Sequence, residues 1–189
     1  MTKQIHDTFI YEKTSAKLLA LSPDFDFSPK DFFDLEPSMW GTANYRGFWC
    51  GYKIENGILF IDELTVYIQS GDYPIINNIK AIPDELIYQL SKKSQFRIPI
   101  PRKYKDIHYH YYYTGKLVIA VNQQEDKYDN IGKQIILELQ VNQGKVDSTK
   151  NISSLWKQYK QKHLRKNSYW WQAQDKSYDQ FVNFRSWLR

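Results

Sequence analysis

The chain has 189 residues and a mass of 22.7 kDa, enough for one core that buries about 70% of the unfolded surface and short for two. Its 42% of hydrophobic and 25% of charged residues exclude a mainly disordered chain, and the 16% of aromatic residues favours pleated, half-buried surfaces. The net charge of +5 is unevenly placed: from Lys150 onward nine bases face two acids, so residues 150–189 carry +7 and residues 1–149 carry −2.

Thr8–Tyr11 and Lys17–Leu21, separated by Glu12-Lys13-Thr14-Ser15, read as an opening hairpin, with a helix over 14–21 as the alternative. Ser28-Pro29-Lys30-Asp31 sets a capping hydroxyl before a first-turn proline, which predicts a short helix over Pro29–Leu35 stopped by Pro37. In Arg46–Leu64 two β-rich runs flank Asn56-Gly57, the preferred pair for a type I′ turn. That register sets Ile54 opposite Leu59 and Tyr52 opposite Ile61 on one inward face, with Lys53, Glu55, Ile58 and Phe60 outward.

Residues 71–82 read as an irregular connection, followed by a helix from Pro83-Asp84-Glu85 to about Lys93 whose inward stripe is Leu86, Ile87 and Leu90. Pro99 and Pro101 bar a central strand there. Ile107–Val121 is nearly continuous in β-favouring residues, with Gly115 as a bulge or crossing point. Lys133–Val141 alternates, so Ile135, Leu137, Leu139 and Val141 share a face, and Asn142-Gln143-Gly144 turns the chain into Lys145-Val146.

The tail opens on Ser153 or Ser154 as a cap, with Leu155, Trp156, Tyr159 and His163 at helical spacing and most bases elsewhere on the wheel. A second helix from Ser177 would use Tyr178, Phe181, Val182 and Leu188. Both apolar stripes are expected to pack on the sheet. The pattern as a whole predicts an α+β chain. It consists of a mostly antiparallel sheet or partly open barrel with short helices and a helical C-terminal segment packed on it. A single domain over 1–189 is expected, divided into a β-rich body (1–149) and a basic aromatic tail (150–189).

The single cysteine, Cys50, permits no internal disulfide, and the opening residues lack the apolar run of a signal peptide. A cytoplasmic setting without membrane contact is the expectation. Cys50 alternates in phase with Phe48, Tyr52 and Ile54, which predicts a small buried hydrophobe rather than a nucleophile.

Three strings occur in order: Trp40–Phe48 (WGTANYRGF), the Tyr52–Gly57 hairpin, and Tyr113-Thr114-Gly115-Lys116-Leu117. With Ile5-x-Asp7 at the opening, this order resembles a family of uncharacterised bacterial β-rich proteins across roughly residues 4–146. The resemblance implies a shared β-rich fold and a bacterial origin, and it carries no activity. It also makes the Arg46 segment a place to look.

Tyr45 and Arg46 could hold a carboxylate or phosphate while stacking on an aromatic, against the plainer reading of an internal Arg–acid bridge. Asp106, His108, His110 and Tyr112 alternate, so on one strand they would share a face. His108 and His110 have the spacing of a metal pair but lack further ligands, so no metal and no cofactor are expected. Catalytic strings such as GxSxG or GxxxxGK[ST] are absent from the sequence. The leading expectation is therefore a non-catalytic protein-interaction module of immunity or accessory type. Its candidate partner-binding residues are Tyr45, Arg46, His108 and His110. The alternative is a nucleic-acid-binding protein using Lys157, Lys160, Arg165, Trp170 and Trp171, and third comes an enzyme with an unrecognised site.

Overall fold

The computed structural model describes residues 7–21, 25, 27–41, 44–94, 98–122 and 134–163. In chain order these form β1 (Thr8–Tyr11), β2 (Thr14–Leu21), α1 (Pro29–Phe33), β3 (Phe48–Glu55), β4 (Ile58–Val66), β5 (Ile82–Pro83) and α2 (Glu85–Lys93). There follow β6 (Arg102–Tyr104), β7 (Tyr109–His110), β8 (Gly115–Asn122), β9 (Gln134–Asn142), β10 (Lys145–Asn151) and α3 (Ser153–His163). Among the described residues no helix is long and apolar enough to cross a membrane.

The protein is mostly β. Hydrogen-bonded neighbours run β10-β9-β8-β2-β1-β3-β4, and pairing of Lys145 in β10 with Ile58 in β4 closes that path into a seven-strand barrel. Strands β6 and β5 extend from β4, and β7 also pairs with β4. A closed ring with an odd number of strands cannot alternate direction throughout. Every other junction on the path is antiparallel or a tight hairpin, so β1 and β3 must run parallel. The hydrogen bonds agree: Cys50 N donates to Asp7 Oδ1 and Glu12 N donates to the Ile54 carbonyl, a nearly constant offset along both segments.

Tight turns with positive φ at both central residues recur four times among the described residues: Glu12-Lys13, Asn56-Gly57, Asn77-Asn78 and Gln143-Gly144. At Asn56 (φ 52°) and Gly57 (φ 72°) the expected type I′ hairpin is realised, with Tyr52, Ile54, Leu59 and Ile61 all buried. The Glu12 carboxylate reaches across to accept from both Asn56 N and Gly57 N at 3.2 Å.

The described chain falls into two compact units. One holds the described residues within Met1–Thr8, Asp26–Lys53 and Phe60–His110; the other holds those within Phe9–Phe25, Ile54–Leu59 and Tyr111–Arg189. In the first, β4 pairs with β6 and β7, and Leu64, Val66, Tyr104 and Ile107 are buried. Helix α1 is capped by the Ser28 side chain but stops at Phe33, before Leu35, because Asp34 enters the left-handed region at φ 53°. The expected helix to Lys93 forms as α2, but it begins at Glu85 with Asp84 as its cap and Pro83 in β5, and it buries no residue, so Leu86, Ile87 and Leu90 do not form the expected inward stripe. Leu86 is 69% exposed and Leu90 50%, while Ile87 and Tyr88 are half-buried.

In the second unit β2, β8, β9 and β10 pair in sequence around Leu117, Ile119, Leu139 and Val141. The expected continuous strand over 107–121 is interrupted: only Tyr109–His110 and Gly115–Asn122 are strands. Strand β9 is covered on both faces, because Ile136, out of phase with Leu139 and Val141, packs with Val118, Ala120 and Ile152. Leu155 and Trp156 of α3 lie against that cluster as expected, while the side chains of Tyr159 and His163, the rest of the expected stripe, lie outside the described residues. Ser153 does not cap the helix. Its Oγ accepts from Ile136 N at 2.9 Å, and Asn151 Oδ1 instead accepts from Ser153 N at 3.0 Å. The second tail helix expected from Ser177 lies outside the described residues.

Candidate functional site

The Tyr45–Gly47 segment is held by backbone geometry that only glycine tolerates. Gly47 has φ 73°, and a Cβ there would sit 2.2 Å from the Ser38 carbonyl oxygen. This turn aims Arg46 at Asp7, where its Nη2 donates to Oδ1 at 2.9 Å, while the guanidinium lies 4.8 Å from the centre of the Phe48 ring. Burial opposes the charge on Arg46, but the adjacent Asp7 carboxylate outweighs it and holds the group above its ordinary range. The same Asp7 oxygen accepts from Cys50 N at 2.8 Å. Arg46 is thus an internal Arg–acid bridge, and Tyr45 beside it is well exposed. Cys50 is fully buried. Burial, reinforced by Asp7, pushes its thiol well above the usual value, which suits a core side chain.

Asp106, His108, His110 and Tyr112 do not share a strand face. Asp106 and His108 adopt positive φ (56° and 41°), which breaks the alternation, and only His110 of the four lies in β7. His108 Nδ1 lies 2.8 Å from Asp62 Oδ1, a buried oxygen that receives no hydrogen bond, so the contact becomes an ion pair when the imidazole is protonated. His110 pairs with Phe60 across β7 and β4, and both imidazoles sit 6.0 Å from the Phe60 ring. Among the described residues no three His, Cys, Asp or Glu side chains cluster as metal ligands.

The residue between the two histidines points elsewhere. Tyr109 meets Phe33 edge-on at 4.9 Å and Phe32 at 6.0 Å, both from α1. Phe33 continues through Phe27 to Phe48, so an aromatic row joins Arg46 to Tyr109. Where the row surfaces, an open cleft of about 630 Å³ runs between α1 and the Pro74–Asn77 turn. Phe32, Phe33 and Tyr109 form one wall, and Pro74, Ile75 and Ile76 the other.

Hydrogen bonds fix the aliphatic wall, while the aromatic wall is held by its ring contacts. Asn77 Nδ2 donates to the Ile107 carbonyl at 2.9 Å, and the Tyr104 hydroxyl donates to the Pro74 carbonyl at 2.8 Å. Asp31 and Asp34 supply an acidic rim, whereas Lys30 is engaged by Glu36 at 2.5 Å, whose hydrogen bond and charge raise the lysine's pKa. Phe32 and Ile75 remain exposed at the mouth. The cleft escaped sequence reasoning, which favoured the histidines flanking Tyr109. The available signal was an adjacent Phe32-Phe33 pair between two aspartates.

Of the residues assigned to nucleic acid, Lys157 is exposed on α3. Lys160 lies in the same helix with its side chain outside the described residues, as are Arg165, Trp170 and Trp171 altogether. No protein-family model, curated protein or solved structure matches this chain.

Proposed function

We propose that this chain is a non-catalytic protein-binding module that takes an apolar side chain of a partner, flanked by basic residues, into the α1 cleft. The observation that carries the reading is the cleft itself: an aromatic wall of mutually packed rings facing an aliphatic wall anchored by hydrogen bonds, with apolar residues exposed at the mouth and two carboxylates on the rim. Exposed apolar surface rimmed by charge is the usual mark of a recognition site, and the acidic rim selects a basic partner. Preformed walls favour binding because little side-chain entropy is lost.

Fluorescence polarisation with labelled octapeptides carrying a central Leu or Phe between arginines tests this, with glutamate-flanked peptides as controls. The basic set is expected to bind, to weaken with salt, and to be lost in Ile75→Ser and in Asp31→Asn/Asp34→Asn. Equal binding of both sets, or binding indifferent to these changes, would remove the proposal.

A further inference from the structure

We infer that in the free chain the α1 cleft is occupied by the chain's own residues 185–189, with Trp187 between the apolar walls and Arg185 and Arg189 at the acidic rim, so that a partner binds by displacing them. This rests on the reading of the cleft proposed above and names the segment that regulates it. The rim is free to take a cation. Asp31 and Asp34 are exposed and enter no ion pair among the described residues, whereas Lys30, the base that lines the cleft, is occupied by Glu36. Phe32 and Ile75 leave apolar surface at the mouth for an incoming side chain to cover.

Residues 164–189 lie outside the described part of the chain, and the sequence at their far end matches this site. Residues 180–189 (QFVNFRSWLR) contain no acid, and Arg185 and Arg189 stand two positions on either side of Trp187. In an extended backbone residues two apart project to one side, about 7 Å from each other, so these three present a base, a large apolar ring and a base in a row. Trp187 also falls outside the helical stripe of Tyr178, Phe181, Val182 and Leu188, which leaves it for another surface. The stretch 123–133, likewise outside the described residues, sets Glu125, Asp126 and Asp129 against Lys127 and Lys133, and the acidic rim disfavours it. The 21 residues from Leu164 to Phe184 link α3 to the proposed occupant. They can span up to about 70 Å, several times the radius of gyration of about 16 Å for a compact chain of this length. A tethered ligand meets its site at an effective concentration on the order of 1 mM. A segment whose free peptide binds at about 0.1 mM therefore fills the cleft about nine-tenths of the time and weakens a competitor about tenfold.

Fluorescence polarisation on the full chain with two labelled probes tests the inference: the arginine-flanked Leu octapeptide and a decapeptide of residues 180–189. Both are expected to bind Trp187→Ser and Arg185→Glu/Arg189→Glu about tenfold more tightly than the natural chain, because the competing segment is released. Adding Ile75→Ser to either variant should abolish binding of both probes. Either variant that keeps the natural circular dichroism spectrum decides the matter, and loss of the fold in both would place the segment in the core and overturn the inference. Octapeptide binding that is equal in the natural chain and the variants overturns the inference and leaves the cleft reading standing, as does a decapeptide that fails to bind where the octapeptide binds. Failure of both probes to bind any of these chains overturns the cleft reading as well. Self-association of the natural chain in sedimentation velocity that Trp187→Ser abolishes would assign the segment to a second copy's cleft and overturn the intramolecular arrangement.

Discussion

Helices α2 and α3 carry similar apolar stripes and have opposite fates. Leu155 and Trp156 of α3 rest on Val118, Ala120, Ile136 and Ile152, whereas Leu86 and Leu90 of α2 face water. The difference lies in what receives each stripe. Strand β9 offers α3 a second apolar face through Ile136, and both backbone groups of that residue are used: its N donates to Ser153 Oγ and its carbonyl accepts from Ile152 N. Helix α2 follows β5, a two-residue strand at the end of the sheet path, and no described strand presents it with such a face. Periodicity identifies an amphipathic helix and leaves its partner unspecified.

The largest effect should come from the receiving face of α3. Ile136→Ala is expected to cost about 3 kcal/mol in chemical denaturation, since a fully covered aliphatic side chain leaves a cavity. A cost near zero would mean that α3 does not depend on β9. Trp156→Ala, at a half-buried position, should cost about 2 kcal/mol by the same measurement.

Alkali should act instead on the unit that carries α2. Burial, with a smaller contribution from Tyr73, pushes the Tyr104 phenol up to about 12 from its ordinary 10.0. Folding thus favours the neutral form. This contribution is intact below pH 10.0, and it is lost as pH rises through about 12. Melting temperatures followed over that window should fall, and Tyr104→Phe should flatten the decline while removing the hydroxyl's bond to the Pro74 carbonyl.

A smaller change tests the turns shared by both halves of the comparison. Gly57→Ala meets no neighbouring atom, so its cost of about 1 kcal/mol is backbone strain at φ 72° alone, measurable as a shift in denaturation midpoint. Smallest of all, Leu86→Ala should change stability by less than about 0.5 kcal/mol, because alanine is the better helix former and little packing is lost. A cost above about 1.5 kcal/mol would show α2 to be packed like α3.

The turns show why part of the fold was legible. Asn56-Gly57 and Gln143-Gly144 announce themselves through glycine, which adopts positive φ without steric cost. Glu12-Lys13 does not, because neither side chain prefers that region, and only its surroundings explain it. Glu12 N donates to the Ile54 carbonyl, and its carboxylate caps the Asn56-Gly57 turn. The hairpin at Asn56-Gly57 and the opening hairpin, both expected, thus support each other, while the two-residue turn at Glu12-Lys13 was not legible from its residues. In the same way the alternation around His108 was readable as a strand, yet positive φ at Asp106 and His108 ended it and left Tyr109 to serve the cleft.

Local chemistry by itself determined the β-rich class, the type I′ hairpin with its buried face, the Ser28 cap and the burial of Cys50, and it offered an acid partner for Arg46 as one of two readings. These follow from steric preference, capping geometry and hydrophobic period, which act over a few residues. The tertiary structure decided that Asp7 is the acid, that β1 joins β3 in parallel to close the seven-strand path, and that Ile136 lies under α3. It also decided that Phe33 and Tyr109 meet and that α2 is left in water. Each of these joins segments tens of residues apart, and no periodicity within one segment records which other segment will cover it.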